Sequence, residues 1–259
     1  MAEVNERMSF MTHLEELRKR LIRIFIAVGI GFAACWHWAG LFQDFLTKPL
    51  LDVLPEGQRH LTALKVTDPF VIQLKLGFYA GLLLTAPYII YQIWAFVAPA
   101  LYRRERRYGG VFTVSSLLLF GGGLAFGYYV FLPLCFKFFV TFISGYLVQG
   151  YNLSDYISFT VWSLLAFGIV FQTPLILLLL NLIGLVHVPF LKRFRKYAFL
   201  LSFAIGAILT PTPDMVNQTV MSLPIYFFYE VSIVLIRLFG KKPPPAADDP
   251  AEKPAAPAG

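Results

Sequence analysis

The chain has 259 residues, of which 58% are apolar or aromatic, 17% are Phe, Trp or Tyr, and only 14% are charged. A soluble domain carries roughly 25% charged residues, so this composition excludes a water-soluble globule; it also excludes disorder over most of the length and, with only 2 Cys, a disulfide scaffold. What remains is a polytopic helical membrane protein, and the net charge of +7 reads as topology-setting rather than as a nucleic-acid surface, because the basic residues stand between apolar runs.

In chain order, residues 1–20 form a cytoplasmic amphipathic segment. Phe10, Leu14, Leu17 and Leu21 recur at helical spacing. Thr12 and Glu15 have the spacing of a capping box. Glu15–Lys19 and Glu16–Arg20 are i,i+4 pairs on an interfacial helix. Residues 21–238 make the membrane domain, with six apolar segments: about Leu21–Leu41, Phe70–Val97 with Lys75 near its start, Val111–Leu134, Tyr156–Leu185, Tyr197–Leu209, and Val216–Leu238 with Pro224 and Glu230. A crossing of ~30 Å of hydrocarbon takes roughly 20 residues. The fifth segment falls short, which predicts local thinning of the bilayer around it. Residues 239–259 form a Pro/Ala-rich tail expected to be disordered and cytoplasmic.

Most of the 22 Lys and Arg residues fall in alternate connections: Arg7 to Arg23, Arg103 to Arg107, Lys192 to Lys196, and from Arg237 onward. The positive-inside rule makes that side cytoplasmic and puts both termini there. The opposite connections, about Phe42–Pro69 and Cys135–Asp155, are rich in Phe, Leu and Tyr and read as an ordered cap. Thr210–Asp214 is a tight Pro-rich turn. Cys35 and Cys135 read as buried free thiols.

No nucleotide-binding, metal-binding or nucleophile motif is present, and the four His are scattered, so no enzyme, cofactor or metal site is expected. Gly77–Gly81 and Gly123–Gly127 are GxxxG matches, read as close packing within the chain. Polar residues inside spans default to functional candidates. Gln172 sits in mid-span before Pro174, which frees a backbone carbonyl that a polar neighbour could satisfy. Gln92 and Asn181 read as helix–helix hydrogen-bonding groups. On composition alone Glu105, among Arg103, Arg104, Arg106 and Arg107, is a counter-ion. An ion- or solute-coupled transporter using Gln172 and Glu230 is the alternative function; the absence of an internal repeat weakens it.

Several strings carry a family resemblance: Thr12-His-Leu-Glu-Glu-Leu-Arg-Lys-Arg-Leu21, Asp68-Pro69-Phe70, the stretch Ala86 to Tyr102 followed by Glu105-Arg-Arg107, Phe167-Gly168 with Phe171 and Pro174, and Leu209-Thr-Pro with Pro213, Asp214 and Gln218. Together they resemble the TatC family, the large subunits of the twin-arginine protein translocase. The resemblance implies six transmembrane helices in a cupped bundle in a bacterial inner membrane. It implies a receptor for twin-arginine signal peptides, partnered by the single-span subunits TatA and TatB, oligomeric within its complex, and exporting folded proteins on the protonmotive force.

By the same resemblance Glu16 and Glu105 are the signal-binding carboxylates and Phe96 an apolar contact for the signal. Two carboxylates suit two guanidinium groups, which they grip as planar forks. Pro49, Gln172, Thr210, Asp214 and Gln218 match positions of partner-binding or structural importance. Two departures stand out. Many members carry Glu where this chain has Gln172, so a titratable carboxylate is not carried over. The turn Thr210–Asp214 is also one residue longer than the common Thr-Pro-Pro-Asp form.

Overall fold

Helix follows hydropathy along nearly the whole chain. The computed structural model describes residues 2–55, 60–97, 109–141, 151–209 and 215–241. Five stretches are long and apolar enough to cross a bilayer: Met11–Leu51, Asp68–Phe96, Gly110–Thr141, Leu153–Leu182 and Met215–Phe239. The remaining crossing is α8 (Val188–Leu209), whose first half carries Lys192, Arg193, Arg195 and Lys196. Its uninterrupted apolar part begins at Tyr197 and spans only about 20 Å at 1.5 Å per residue, the short fifth span expected from the sequence.

The first span is longer than hydropathy suggested. Helix α1 (Ala2–Cys35) passes through a 3-10 turn (Trp36–Trp38) into α2 (Ala39–Leu51). Thr12 therefore lies inside a helix, and the Thr12–Glu15 spacing caps nothing. The reason is that no Pro precedes Pro49, and the ion pairs Glu15–Lys19 and Glu16–Arg20 carry the helix across the charged stretch. The third span is likewise longer: α4 (Gly109–Phe126), a π-helical turn (Gly127–Phe131) and α5 (Leu132–Thr141) follow without a break. Pro133 explains the wide turn, since its ring cannot sit against the carbonyl of Tyr129 in a regular α-helix.

The fourth span is bent. Helix α6 (Leu153–Val170) ends at Phe171, and α7 (Thr173–Leu182) restarts with Pro174 in its first turn. Pro174 cannot donate to Val170 O, and the Thr173 hydroxyl donates there instead, at 2.7 Å. The remaining spans are α3 (Asp68–Val97) and α9 (Met215–Phe239).

Glycines set the closest helix contacts. Helix α1 packs on α3 where Gly31 and Gly81 meet: a Cβ on Gly31 would come within 2.8 Å of Gly81 O, and one on Gly81 would strike the Phe32 backbone. A Cβ on Gly123 would fall 2.6 Å from Phe167 O of α6. Both GxxxG matches thus serve packing within the chain.

The two ends of the bundle are built differently. At one end β1 (Leu61–Thr62) and β2 (Tyr151–Asn152) pair in parallel, Leu61 with Tyr151, tying the first outer connection to the second. The described part of this cap rests on a core containing Leu46, Leu50, Phe131, Leu132, Ile157 and Phe167. At the opposite end lie the charged part of α1, the last turns of α3 and α9, and the first turns of α4 and α8. A second core of Trp94, Phe112, Leu178, Ile233 and Ile236 sits there. Of the thiols, Cys135 is buried and Cys35 half-buried, and neither is in a disulfide.

Candidate functional site

The basic end carries a polar seam between α1 and α3. Residues 13, 16 and 20 lie on successive turns of α1, and residues 88, 92 and 96 on successive turns of α3, so each set shares one helix face. The Gly31–Gly81 contact fixes the antiparallel register. Eleven residues further along each helix, from 31 to 20 and from 81 to 92, Arg20 meets Gln92.

Arg20 donates from Nε to Glu16 Oε1 at 3.0 Å and from Nη2 to the same oxygen at 2.6 Å. Its Nη1 donates to Gln92 Oε1 at 3.0 Å. Gln92 is buried and in turn donates from Nε2 to the Tyr88 hydroxyl at 2.6 Å. The Arg20 side chain is 18% exposed and the Glu16 side chain 36%. Among the described residues Glu16 Oε2 has no partner. One turn nearer the terminus, His13 stacks on Phe96 with ring centroids 4.3 Å apart and planes 17° from parallel. On the exposed side of α1, Lys19 pairs with Glu15 at 2.8 Å. Its hydrogen bond and charge hold the Glu15 carboxyl below the usual carboxylate value.

The structure therefore brings Glu16 and Phe96 to one seam. Glu105, Thr210 and Asp214 lie outside the described residues. Pro49 sits at the other end, buried inside α2. There its missing N–H leaves Phe45 O without its helical donor. The Tyr128 hydroxyl donates to that oxygen at 2.7 Å, with its ring stacked on Phe45 at 4.4 Å. The Tyr156 hydroxyl donates to the next carbonyl, Leu46 O, at 2.6 Å.

Gln172 lies in mid-bundle and exchanges two bonds with Ser116 of α4, accepting from its hydroxyl at 2.5 Å and donating to its carbonyl at 2.8 Å. Thr173 has relieved it of the carbonyl that Pro174 frees. Gln218 donates to Phe203 O at 3.0 Å and joins α9 to α8. Glu230 accepts from Arg195 at 2.7 Å and from the Tyr226 hydroxyl at 3.1 Å. Gln172 and Glu230 thus belong to different helix pairs.

Sequence reasoning did not find the Arg20–Gln92 bond, the His13–Phe96 stack or the seating of Lys75, whose ammonium donates to Ser154 Oγ at 3.1 Å and Ser158 Oγ at 2.8 Å. The spacing of Tyr88, Gln92 and Phe96 was a visible signal; their partners on α1 were not. Asn181 was expected to bond between helices. It donates to Val186 O at 2.7 Å and accepts from Lys241 N at 2.8 Å, so it joins the end of α7 to the residues after α9. Among the described residues no group of three or more His, Cys, Asp or Glu comes together as metal ligands would.

These elements define a multi-pass helical membrane protein whose ion pairs, among the described residues, lie at its basic end. A family model described as Sec-independent protein translocase protein (TatC) matches residues 12–224. The Sec-independent protein translocase protein TatC of Desulforapulum autotrophicum is 39% identical over 252 residues, 97% of this chain and 93% of that one. That of Escherichia coli K12 is 37% identical over 236 residues, 91% of each chain. A crystal structure of the twin-arginine translocase receptor TatC superposes with a TM-score of 0.77 at 36% identity, covering 87% of this chain and 98% of that one. The chain belongs to the TatC family of Sec-independent protein translocase proteins.

Proposed function

We propose that this chain is the receptor subunit of a twin-arginine translocase, reading the arginine pair of a signal peptide at its basic, cytoplasmic end. It is a binding and assembly subunit rather than an enzyme, resident in a bacterial inner membrane. Its partners are TatA and TatB, further copies of itself, and folded cargo moved by the protonmotive force. The observation that carries the reading is the Glu16 carboxylate, partly exposed at the mouth of the α1–α3 seam with Oε2 unpartnered among the described residues. A guanidinium arriving there gains a charge-assisted bond that a lysine ammonium makes without the planar fork. Phe96, one turn from Gln92, supplies apolar surface for the residues that follow the arginine pair. Glu105 is the second carboxylate of the pair. Gln172, Thr210, Asp214 and Gln218 serve the spans where partner helices dock, and the short α8 thins the bilayer around the assembly.

The test is binding of a labelled peptide bearing Arg-Arg ahead of an apolar segment to the full chain in detergent micelles, beside its Lys-Lys counterpart. Replacement of the arginines by lysines, or Glu16→Gln, weakens binding at least tenfold, about 1.4 kcal/mol. Equal binding of both peptides, unchanged in Glu16→Gln and in Glu105→Gln, overturns the reading.

A further inference from the structure

The group that holds Glu16 is chemically the same as the group it is proposed to read. A guanidinium can grip a carboxylate with two parallel bonds, one to each oxygen. Arg20 does otherwise: Nε and Nη2 both converge on Oε1. Its remaining terminal nitrogen, Nη1, is anchored on Gln92 Oε1, an acceptor fixed by the bond from Gln92 Nε2 to Tyr88. The carboxylate is therefore half-committed, and its present partner is tethered from behind.

We infer that Arg20 is a built-in competitor for the signal-reading carboxylate, and that it sets the discrimination between arginine and lysine ligands. The inference rests on the receptor reading above. An incoming ligand meets Glu16 with one oxygen already gripped by a guanidinium. A ligand arginine offers the same planar fork and displaces Arg20 from Oε1 on equal terms. Arg20 retains its bond to Gln92 when released, so the exchange leaves no buried cation stranded. A ligand lysine offers a single ammonium and must content itself with Oε2, beside a positive charge that repels it. Selectivity thus arises from the incumbent as well as from the carboxylate. Without Arg20, both oxygens of Glu16 stand open, and an ammonium can use either.

The discriminating experiment measures affinities of the Arg-Arg and Lys-Lys peptides for the full chain in micelles, with Arg20→Gln, Arg20→Lys, Lys19→Gln and Glu16→Gln. Lys19 sits one residue away and pairs with Glu15, so its neutralisation removes the same charge without touching Glu16. Arg20→Gln is expected to tighten the Lys-Lys peptide about tenfold and the Arg-Arg peptide about threefold or less, narrowing the ratio between them. Arg20→Lys keeps the charge but not the fork and falls between Arg20→Gln and the parent. Lys19→Gln moves both peptides together, by less than twofold.

Weaker binding of both peptides in Arg20→Gln and Arg20→Lys overturns the inference, making Arg20 a positioning residue for Glu16. Equal tightening of both peptides in Arg20→Gln and Lys19→Gln also overturns it, reducing the effect to net charge. Both results leave the receptor reading standing provided Glu16→Gln still abolishes the preference for arginine. Parent binding that ignores both the arginines and Glu16 overturns the two together. If Arg20→Gln proves unfolded by its melting profile, Arg20→Lys decides alone: an unchanged or widened ratio overturns the inference.

Discussion

The cap end and the basic end of this bundle use hydrogen bonds for opposite purposes. At the cap, the Tyr128 and Tyr156 hydroxyls reach backbone carbonyls, neither bond involves a charge, and the surrounding side chains Phe131, Leu132, Ile157 and Phe167 are fully buried. Such bonds have nothing to exchange with, and they fix one arrangement. At the basic end, charged forks meet carboxylates within reach of solvent, and one carboxylate oxygen is left over among the described residues. Those bonds can be traded for equivalent ones brought by a ligand. Burial with neutral donors makes scaffold; partial exposure with charged donors makes a recognition surface.

That contrast is breakable at several points. The largest effect is expected from Phe131→Ala at the cap, which removes a fully buried ring and costs about 3–5 kcal/mol. Thermal unfolding in micelles should register the loss, while the molecules that remain folded bind the Arg-Arg peptide as before. A fall in affinity per folded molecule would show that the two ends are not independent.

A smaller and sharper test concerns the carbonyl that Pro49 frees. Tyr128→Phe takes the donor from Phe45 O and should cost about 1–2 kcal/mol. In a Pro49→Ala background the residue at 49 regains an N–H aimed at the same oxygen, so the cost of Tyr128→Phe should shrink by about 1 kcal/mol. A double-mutant cycle measures that coupling. A coupling of zero would detach Tyr128 from the proline.

The smallest effect belongs to the solvent-exposed Glu15–Lys19 pair. Because Lys19 lowers the Glu15 carboxyl below its ordinary value, whatever stability the pair gives is present above the ordinary value of ~4.3. It is lost as pH falls through the folded-state value. The melting temperatures of the parent and Glu15→Gln should differ little at neutral pH and converge on acidification. A gap that widened in acid would contradict the pairing.

Hydropathy and the placement of Arg and Lys were enough to draw six crossings and to separate the two ends. Boundaries were harder. The segment from Phe42 was read as an outer connection, yet Leu46 and Leu50, one turn apart, bury against the cap core, and helix runs on through Pro49. The charge run from Glu15 to Arg20 looked like a border between a surface helix and a span. Its charges pair along the helix and leave α1 continuous. At the candidate site the family resemblance pointed to Glu16 and Phe96, but the way Arg20, Gln92 and His13 join them was not visible. Such a group depends on the register of two helices, and that register is set by a contact between two glycines far from any charge. Nothing in the local pattern around Glu16 encodes it.

The Gly31–Gly81 contact therefore acts as a pivot for the recognition surface. Three helical turns separate it from the meeting of Arg20 and Gln92. A single methyl at residue 81 would act like a wedge in a hinge, spreading the two helices and carrying Glu16 away from Phe96 with no change to either. Mutational scans that score residues by nearness to ligand would count Gly81 as inert lining. Its influence is that of a fulcrum, felt at the far end of the lever.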